Sequence, residues 1–310
     1  MGDSANDGMT SGGWLLAGAS GFLGQALGDD LRAAGVPVRR LVRGAPSSPD
    51  DVPWDAKTPP PASAFDGIST VACLSGVSLQ KRWTDSNRRA IVASRVEPTR
   101  ALAEAIAALP AEGRPTLLAQ SASGYYPKNT GRSFTERDAE QADGFVPDVV
   151  RQWEEAASAA VAAGARVVFL RTGVVLSPRD GALQALQIPA KFACGIPLGS
   201  GRQVMPLVSL PDWIAALRFL AERPDIAGPV NITLPVPATN AELTAAVNAH
   251  LHRPQPPVVK VPAVALRIAL NGFATEILDS VTIVPQVLTE AGFTFSGPDI
   301  TSAVASAYRS

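Results

Sequence analysis

Cysteine and histidine are nearly missing from this chain: two of each in 310 residues. Cys73 and Cys194 lie in apolar or glycine-rich surroundings and read as packing residues, which excludes a disulfide framework and a cysteine-bound zinc. His250 and His252 sit beside Arg253 at the end of a helical pattern, where a positive group suits the helix dipole. No histidine is left to join the carboxylates in a metal site. No apolar run reaches the ~18 residues that would suggest a membrane span. The net charge of −1 gives no broad attraction for nucleic acid or an anionic membrane. Residues 1 to 13 are polar and glycine-rich and lack an apolar h-region, so they read as a flexible lead-in and not a signal peptide. The expectation is a cytoplasmic protein. No internal repeat is found, and the only biased tract is a proline- and serine-rich loop.

What is present is an apolar fraction of 46%, enough for a sizeable core, and one organising stretch. Trp14 to Ala17 read as a short buried strand. Gly18, Gly21 and Gly24 follow at every third position. From Phe22 a helical period begins, with Leu23, Leu27, Leu31 and Ala34 on one face. Strand, glycine turn and helix form the opening unit of a dinucleotide-binding fold. Glycines let the backbone approach a pyrophosphate, and the helix N-terminus offers it free N–H groups and a positive dipole end. Gly18, Ser20, Gly21, Phe22, Leu23 and Gly24 are therefore candidate cofactor contacts. The spacing Gly-x-x-Gly-x-x-Gly is that of extended, epimerase-like reductases.

Val36 to Val42 form the second strand. An acidic residue about 20 residues past the glycines would hold the ribose 2′-hydroxyl of NAD, but no carboxylate ends this strand. Arg43 stands there instead, and a guanidinium can bond two oxygens of the 2′-phosphate of NADP. It reads as an NADP contact, or as a solvated strand-end arginine. Residues 45 to 65 hold little periodic structure. Ile68 to Leu74 form a third strand, whose carboxyl end, with Leu74, Ser75 and Gly76, faces the cofactor in a doubly wound sheet; Gly76 reads as leaving room for the ribose or pyrophosphate, or as a plain turn glycine. Thr84 is an N-cap candidate, and Pro98 should kink or restart the helix that follows. Arg82, Trp83 and Arg95 read as substrate-side groups or as a solvated face, the latter favoured for Arg95.

A strand from Pro115 to Gln120 delivers Ser121, Ser123, Tyr125 and Tyr126. Hydroxyls at the carboxyl end of a central strand can hold a substrate oxygen or the carboxamide and ribose of a nicotinamide, and a tyrosine can exchange a proton if a cation lowers its pKa; the alternative is a strand-end turn with tyrosine packed as a lid. Residues 128 to 145, with Glu136, Asp138 and Glu140, read as a cover with no metal site. A helix is expected from about Val146 to Gly164, with Val161 on its apolar face. Val167 to Leu176 reads as one buried strand whose Arg171 needs a carboxylate or phosphate partner. Beyond it, Arg202 lies in a glycine-rich loop, Ser209 opens a helix, and Thr239-Asn240 caps another.

These motifs resemble, in order and over nearly the whole chain, a known family. They are Gly-Ala-Ser-Gly-Phe-Leu-Gly (18–24), Leu-Val-Arg (41–43), Lys-Arg-Trp-Thr (81–84), Ser-Arg-Val (94–96), Ser-Ala-Ser-Gly-Tyr-Tyr (121–126), Trp-Glu (153–154), Leu-Arg-Thr-Gly-Val-Val-Leu (170–176), Pro-Leu-Gly-Ser-Gly-Arg-Gln (197–203), Gly-Pro-Val-Asn (228–231), Thr-Asn-Ala-Glu (239–242) and Ala-Gly-Phe (291–293). The family is the atypical extended short-chain dehydrogenase/reductases of the NAD(P)-dependent epimerase/dehydratase superfamily, epimerase-like proteins ending in a small C-terminal domain of unknown function. The resemblance implies an α/β fold, a Rossmann-type doubly wound parallel sheet with a smaller C-terminal substrate-side domain. The implied organisation is residues 14–180 with strands and helices from about 204–233 as the NADP-binding core, 181–260 as substrate-side segments, and 261–310 as the C-terminal domain. It also implies bound NADP(H) in preference to NAD(H), and an oxidoreductase or epimerase role.

Ordinary extended reductases carry a Tyr-x-x-x-Lys pair in the helix before Trp153-Glu154. Counting back puts its two positions near Val146 and Val150, and neither can transfer a proton. The family also tends to carry a histidine at Ser209, Gln-Arg at Thr282-Ile283, and an acidic residue at Val77. The expected activity is hydride transfer on a small carbonyl- or hydroxyl-bearing substrate. Tyr125 or Tyr126 would be the proton donor, and Ser121 or Ser123 would hold the substrate oxygen. Arg82, Trp83 and Arg202 would shape the substrate pocket. The rival expectation is a non-catalytic NADP(H)-binding sensor or scaffold. The sequence leaves the substrate and the oligomeric state open.

Overall fold

The strand at the centre, β1 (Gly13–Ala17), is buried at all five positions, as an unbroken apolar run requires when both faces are covered. The computed structural model describes residues 12–80, 82–191, 195–254 and 261–309. The expectations for the N-terminal segment, Lys81 and Cys194 thus fall on residues outside that range, apart from Gly12 and Gly13.

The first half runs α1 (Phe22–Ala33), β2 (Val38–Val42), β3 (Asp51–Pro53), β4 (Ile68–Cys73), α2 (Asp85–Ala108) and β5 (Thr116–Ala122). Then come β6 (Ser133–Phe134), α3 (Phe145–Glu155), α4 (Ser158–Ala162), β7 (Val167–Thr172), β8 (Val174–Leu176), α5 (Gly181–Lys191), β9 (Val204–Met205), β10 (Leu207–Ser209), α6 (Leu210–Ala221) and β11 (Gly228–Ile232). The chain ends with β12 (Ala238–Thr239), α7 (Asn240–His250), α8 (Ala263–Leu270), α9 (Ala274–Leu278), β13 (Thr282–Ile283), α10 (Gln286–Glu290) and α11 (Ile300–Ala307).

Seven strands form one parallel sheet in the order β11-β7-β5-β4-β1-β2-β3. Strand order reverses between β1 and β4, and the crevice over their carboxyl ends is where such sheets take ligands. On one face, Leu27 and Leu31 of α1 and Trp213, Leu217 and Leu220 of α6 pack over Leu16, Ala72, Leu118 and Val168. On the other, Leu102 and Ile106 of α2, with Ala157 and Ala160, cover Leu15, Ala17, Val71 and Leu117. A third core joins Leu176, Leu207 and Leu243 to Ala303, Val304 and Ala307 of α11. The C-terminal segment thus shares its packing with the rest of the chain: Leu288 of α10 belongs to the α1–α6 core.

Four local expectations differ from the structure. Of the kink or restart expected at Pro98, the restart does not occur: α2 runs unbroken through it. Burial of Ile91, Val96, Leu102 and Ile106 on its inner face outweighs the ~3 kcal/mol that a proline costs inside a helix. The helix expected from Val146 to Gly164 is two helices, interrupted at Ala156-Ala157. The break shifts the phase of the apolar face, leaving Val161 exposed. The buried run 167–176 splits at Gly173, where a Cβ would come within 2.5 Å of the Pro206 carbonyl oxygen, and β8 leaves the main sheet to pair with β10. The proline-rich loop contains the edge strand β3, which pairs with β2 and precedes the buried Trp54.

Candidate nucleotide-binding and catalytic site

The glycine loop is built by close approach. Gly18 has φ +83°, and a Cβ there would lie 2.7 Å from the Leu74 carbonyl carbon and 2.8 Å from the Ser75 nitrogen. A Cβ on Gly24 would run into the Gly18 carbonyl and the Ala19 backbone. The ends of β1 and β4 and the start of α1 therefore meet at backbone contact, tied by Leu74 N–H donating to the Ala17 carbonyl at 2.9 Å. At the N-terminus of α1, Gly21 offers no capping side chain and the first turn holds no acid. The helix end is left open for an anion. Ser20 and Gly21 are exposed, and Phe22 and Leu23 half-buried.

The three arginines of the β2 region separate cleanly. Arg39 donates to the Ser63 and Ala64 carbonyls at 2.9 and 2.8 Å. Arg40 pairs with Asp51 at 2.7 Å. Arg43, exposed just past the strand end, makes no side-chain hydrogen bond or ion pair among the described residues. Gln120 adds an orphan acceptor. Its Oε1 is buried without a partner, and by strand alternation it lies on the same sheet face as Leu118, at the carboxyl end of β5. A glycine cradle, an open helix end, a free guanidinium and an unpartnered amide oxygen fit a dinucleotide carrying phosphates and a carboxamide.

The hydroxyl-bearing stretch feeds a buried polar chain. Ser121, fully buried, donates to Glu154 Oε1 at 2.7 Å. Arg171 donates to both Glu154 oxygens at 2.9 Å and to the Tyr126 hydroxyl at 3.1 Å. Tyr126, also fully enclosed, donates to Asn231 Oδ1 at 2.9 Å. The Asn231 backbone N–H donates to Glu136 Oε1 at 2.8 Å, and Glu136 also accepts from the Gln286 and Val287 amides at 3.1 and 3.3 Å. Burial raises the Tyr126 pKa, against the pull of Arg171. Burial likewise raises that of Glu136, against its three amide donors. The carboxylate and hydroxyl around Arg171 outweigh burial and hold its guanidinium more firmly charged than usual.

Tyr125 differs from its neighbour. It is half-buried, its hydroxyl donates to the Ala139 carbonyl at 3.2 Å, and the Arg171 guanidinium lies 3.5 Å from its ring centre. Ser123 is half-buried beside it, with no side-chain hydrogen bond among the described residues. The two positions counted for the missing Tyr-x-x-x-Lys pair are buried valines. Val146 Cγ1 would lie 2.5 Å from a Cβ on Gly124, so an apolar group abuts the serine–tyrosine turn. Ser209, where the family tends to carry histidine, is a buried helix cap donating to Asp212 Oδ2 at 2.8 Å.

The substrate-side candidates are not gathered into one cluster. Trp83 donates to the Leu79 carbonyl at 3.0 Å, meets Phe145 edge-on at 5.0 Å, and would be struck by any Cβ on Gly272. It thereby links the start of α2 to α3 and the C-terminal segment. Arg82 is exposed next to it, and Arg202 is exposed on a separate loop. Residues 128–145 are pinned, through β6 pairing with β13 and Lys128 pairing with Glu276 at 2.6 Å. Among the described residues no three His, Cys, Asp or Glu side chains group as for a metal. Arg95 is buried, at 8% exposure, and not on the solvated face expected for it. Sequence reasoning also gave no functional role to Glu154, Asn231 or Gln120; Glu154 and Asn231 left a signal in the family motifs, and Glu154 a second one, because Arg171 in an apolar run required a carboxylate.

The profile of the NAD dependent epimerase/dehydratase family matches residues 14–233. The chain belongs to this family. A domain of unknown function, DUF1731, matches residues 261–307. An epimerase family protein of Mycobacterium bovis is 39% identical over 90% of this chain and 92% of its own length. One from Staphylococcus haemolyticus is 32% identical over 91% and 94%. The human epimerase family protein SDR39U1 (isoform 2), solved with NADPH, superposes with a TM-score of 0.84 at 26% identity, covering 95% of this chain and 98% of its own. A UDP-glucose 4-epimerase of Thermus thermophilus, solved with NAD, shares the fold at 18% identity and a TM-score of 0.70, covering 95% of this chain and 97% of its own. This epimerase-family chain has the NAD(P)-binding fold of the short-chain dehydrogenase/reductases. No helix among its described residues is long and apolar enough to cross a membrane.

Proposed function

We propose that this epimerase-family protein is an NADP(H)-dependent oxidoreductase or epimerase-like enzyme acting on a small molecule with a carbonyl or hydroxyl group. The observation that carries the reading is the open N-terminus of α1 behind a glycine cradle, with Arg43 unpaired among the described residues at the end of β2 while Arg39 and Arg40 are engaged. The solved relative with NADPH supports it. A bound nicotinamide supplies hydride transfer. Gly18, Gly21, Phe22, Leu23 and Gly24 receive the pyrophosphate, Arg43 the 2′-phosphate, and Leu74, Ser75 and Gly76 border the ribose. Tyr125 is the proton donor of choice, because its hydroxyl is bound only to a carbonyl and Arg171 lies on its ring. Ser123 holds the substrate oxygen, while the Ser121 hydroxyl is already engaged as a hydrogen-bond donor to Glu154. Arg82, Trp83 and Arg202 border the substrate.

The test is calorimetric titration with NADPH and NADH. NADPH should bind about tenfold or more tightly than NADH, one bidentate charge-assisted contact being worth that much, and Arg43→Asp should remove the preference. Absence of binding by either nucleotide overturns the reading.

The buried Val146 and Val150 favour a second reading, an NADP(H)-binding sensor or scaffold without catalysis. Isotope exchange between labelled NADPH and a panel of carbonyl compounds separates the two, since only an enzyme transfers the label.

A further inference from the structure

Arg95 is a cation inside the protein with no carboxylate partner among the described residues. Its NH1 donates to the Ile91 carbonyl at 3.0 Å and to Ser94 Oγ at 3.5 Å. Its NH2 donates to the Val77 carbonyl at 3.0 Å. A guanidinium carries five N–H groups, so part of the fork, including Nε–H, is unspent. Its Cζ lies over the Trp153 ring at 5.1 Å, and the indole is itself fixed by donation to Thr99 Oγ1 at 3.0 Å.

The position of this charge is informative. A Cβ on Gly76 would lie 3.2 Å from Arg95 Cζ and 3.3 Å from its NH2. Gly76 itself is exposed, so the guanidinium lies against the floor of the crevice, one residue beyond the Ser75 nitrogen that meets Gly18. The glycine at 76 makes room for Arg95. The crevice then has a positive group on each side: the open end of α1 on one face of the sheet and Arg95 of α2 on the other.

We propose that Arg95 is a cofactor-binding residue whose guanidinium takes the second phosphate of the dinucleotide, the one bearing the nicotinamide ribose. This rests on the NADP(H) reading above. Neutral carbonyls solvate a buried guanidinium incompletely, and burial pulls its pKa down to about 10. A phosphate at the unspent N–H groups supplies the missing counter-charge. Arg95 also stands one side chain from α3, through Trp153.

The test compares three probes by calorimetry on the full chain: NADPH, adenosine 2′-phosphate 5′-diphosphate, and adenosine 2′,5′-bisphosphate, which lacks the second phosphate. Arg95→Gln should weaken the first two about tenfold or more and leave the bisphosphate unchanged. Arg95→Lys, which keeps the charge, should recover part of the loss and covers the case in which the glutamine variant does not fold. Equal weakening of all three probes, a loss with NADPH alone, or no loss overturns the assignment. If the unaltered protein binds none of the three, the cofactor reading itself fails, which is a different result from normal binding that ignores Arg95.

Discussion

Tyr125 and Tyr126 are adjacent, have the same side chain, and do different work. The Tyr126 hydroxyl is enclosed, accepts from Arg171 and donates to Asn231. The Tyr125 hydroxyl reaches only a loop carbonyl. Tyr126→Phe should therefore cost about 1–3 kcal/mol of stability in urea unfolding, because it leaves buried partners unpaired, with NADPH affinity kept. Tyr125→Phe should cost little stability and lower label exchange about a hundredfold or more, the usual worth of a positioned proton donor. Exchange unaltered in Tyr125→Phe would remove that role. Glu154 is the hinge of the same chain of bonds, holding Ser121 and two of the three Arg171 nitrogens. Glu154→Ala leaves Arg171 charged and buried, so a loss of about 3–5 kcal/mol is expected from the urea midpoint. A change under 1 kcal/mol would mean that water replaces the carboxylate there.

Among the elements, β3 and α2 show how tertiary contacts override local signals. A stretch dense in proline and serine carries no strand period, yet β3 forms because β2 offers it an edge and Asp51 a partner in Arg40. Burial alone would raise the Asp51 pKa, but the Ser47 amide and hydroxyl and the Arg40 guanidinium bring it down from 3.8 to about 2. A carboxyl depressed on folding contributes stability that is complete above the unfolded pKa and is lost as pH falls through the folded one. Asp51 should thus stabilise the protein fully above about pH 4 and lose that contribution on the way to about 2. Asp51→Asn should flatten this limb of the stability curve, followed by urea unfolding at pH 5, 4, 3 and 2. A limb of unchanged slope would refute the assignment. In α2 the helical period was legible through Ile91, Leu102 and Ile106, whereas the fate of Pro98 was not. A proline's local cost is readable, but the burial opposing it is set by the sheet below.

On the scale of the molecule, acidic side chains join the C-terminal segment to the Rossmann core. Glu136 gathers amides from β11 and the start of α10. Asp212 of α6 accepts from Ser209 Oγ at 2.8 Å and from the Ser296 and Gly297 amides at 2.7 and 3.0 Å. Asp212→Ala strands these donors in a buried place, at about 1–3 kcal/mol for each unsatisfied group. It should lower the unfolding midpoint and open residues 290–310 to limited proteolysis before the core is cut. Cleavage spread evenly along the chain would show that the segment is held by packing alone.

The sequence by itself determined the strand–glycine turn–helix opening, the α/β class and the family, and placed an arginine in place of a carboxylate at the end of β2. The elements are short-range patterns, a period of two or 3.6 or a glycine at fixed spacing, which local sterics read without the rest of the chain, and the family is a succession of such short motifs along the whole chain. Only the tertiary structure decided that Arg171 meets Glu154, that Tyr126 is inside and Tyr125 at the edge, that Val146 presses on Gly124, and that Arg95 lies under Gly76. Those outcomes join residues far apart in the chain. They depend on which face of which helix is pressed against the sheet, a choice made by burial of the whole apolar surface.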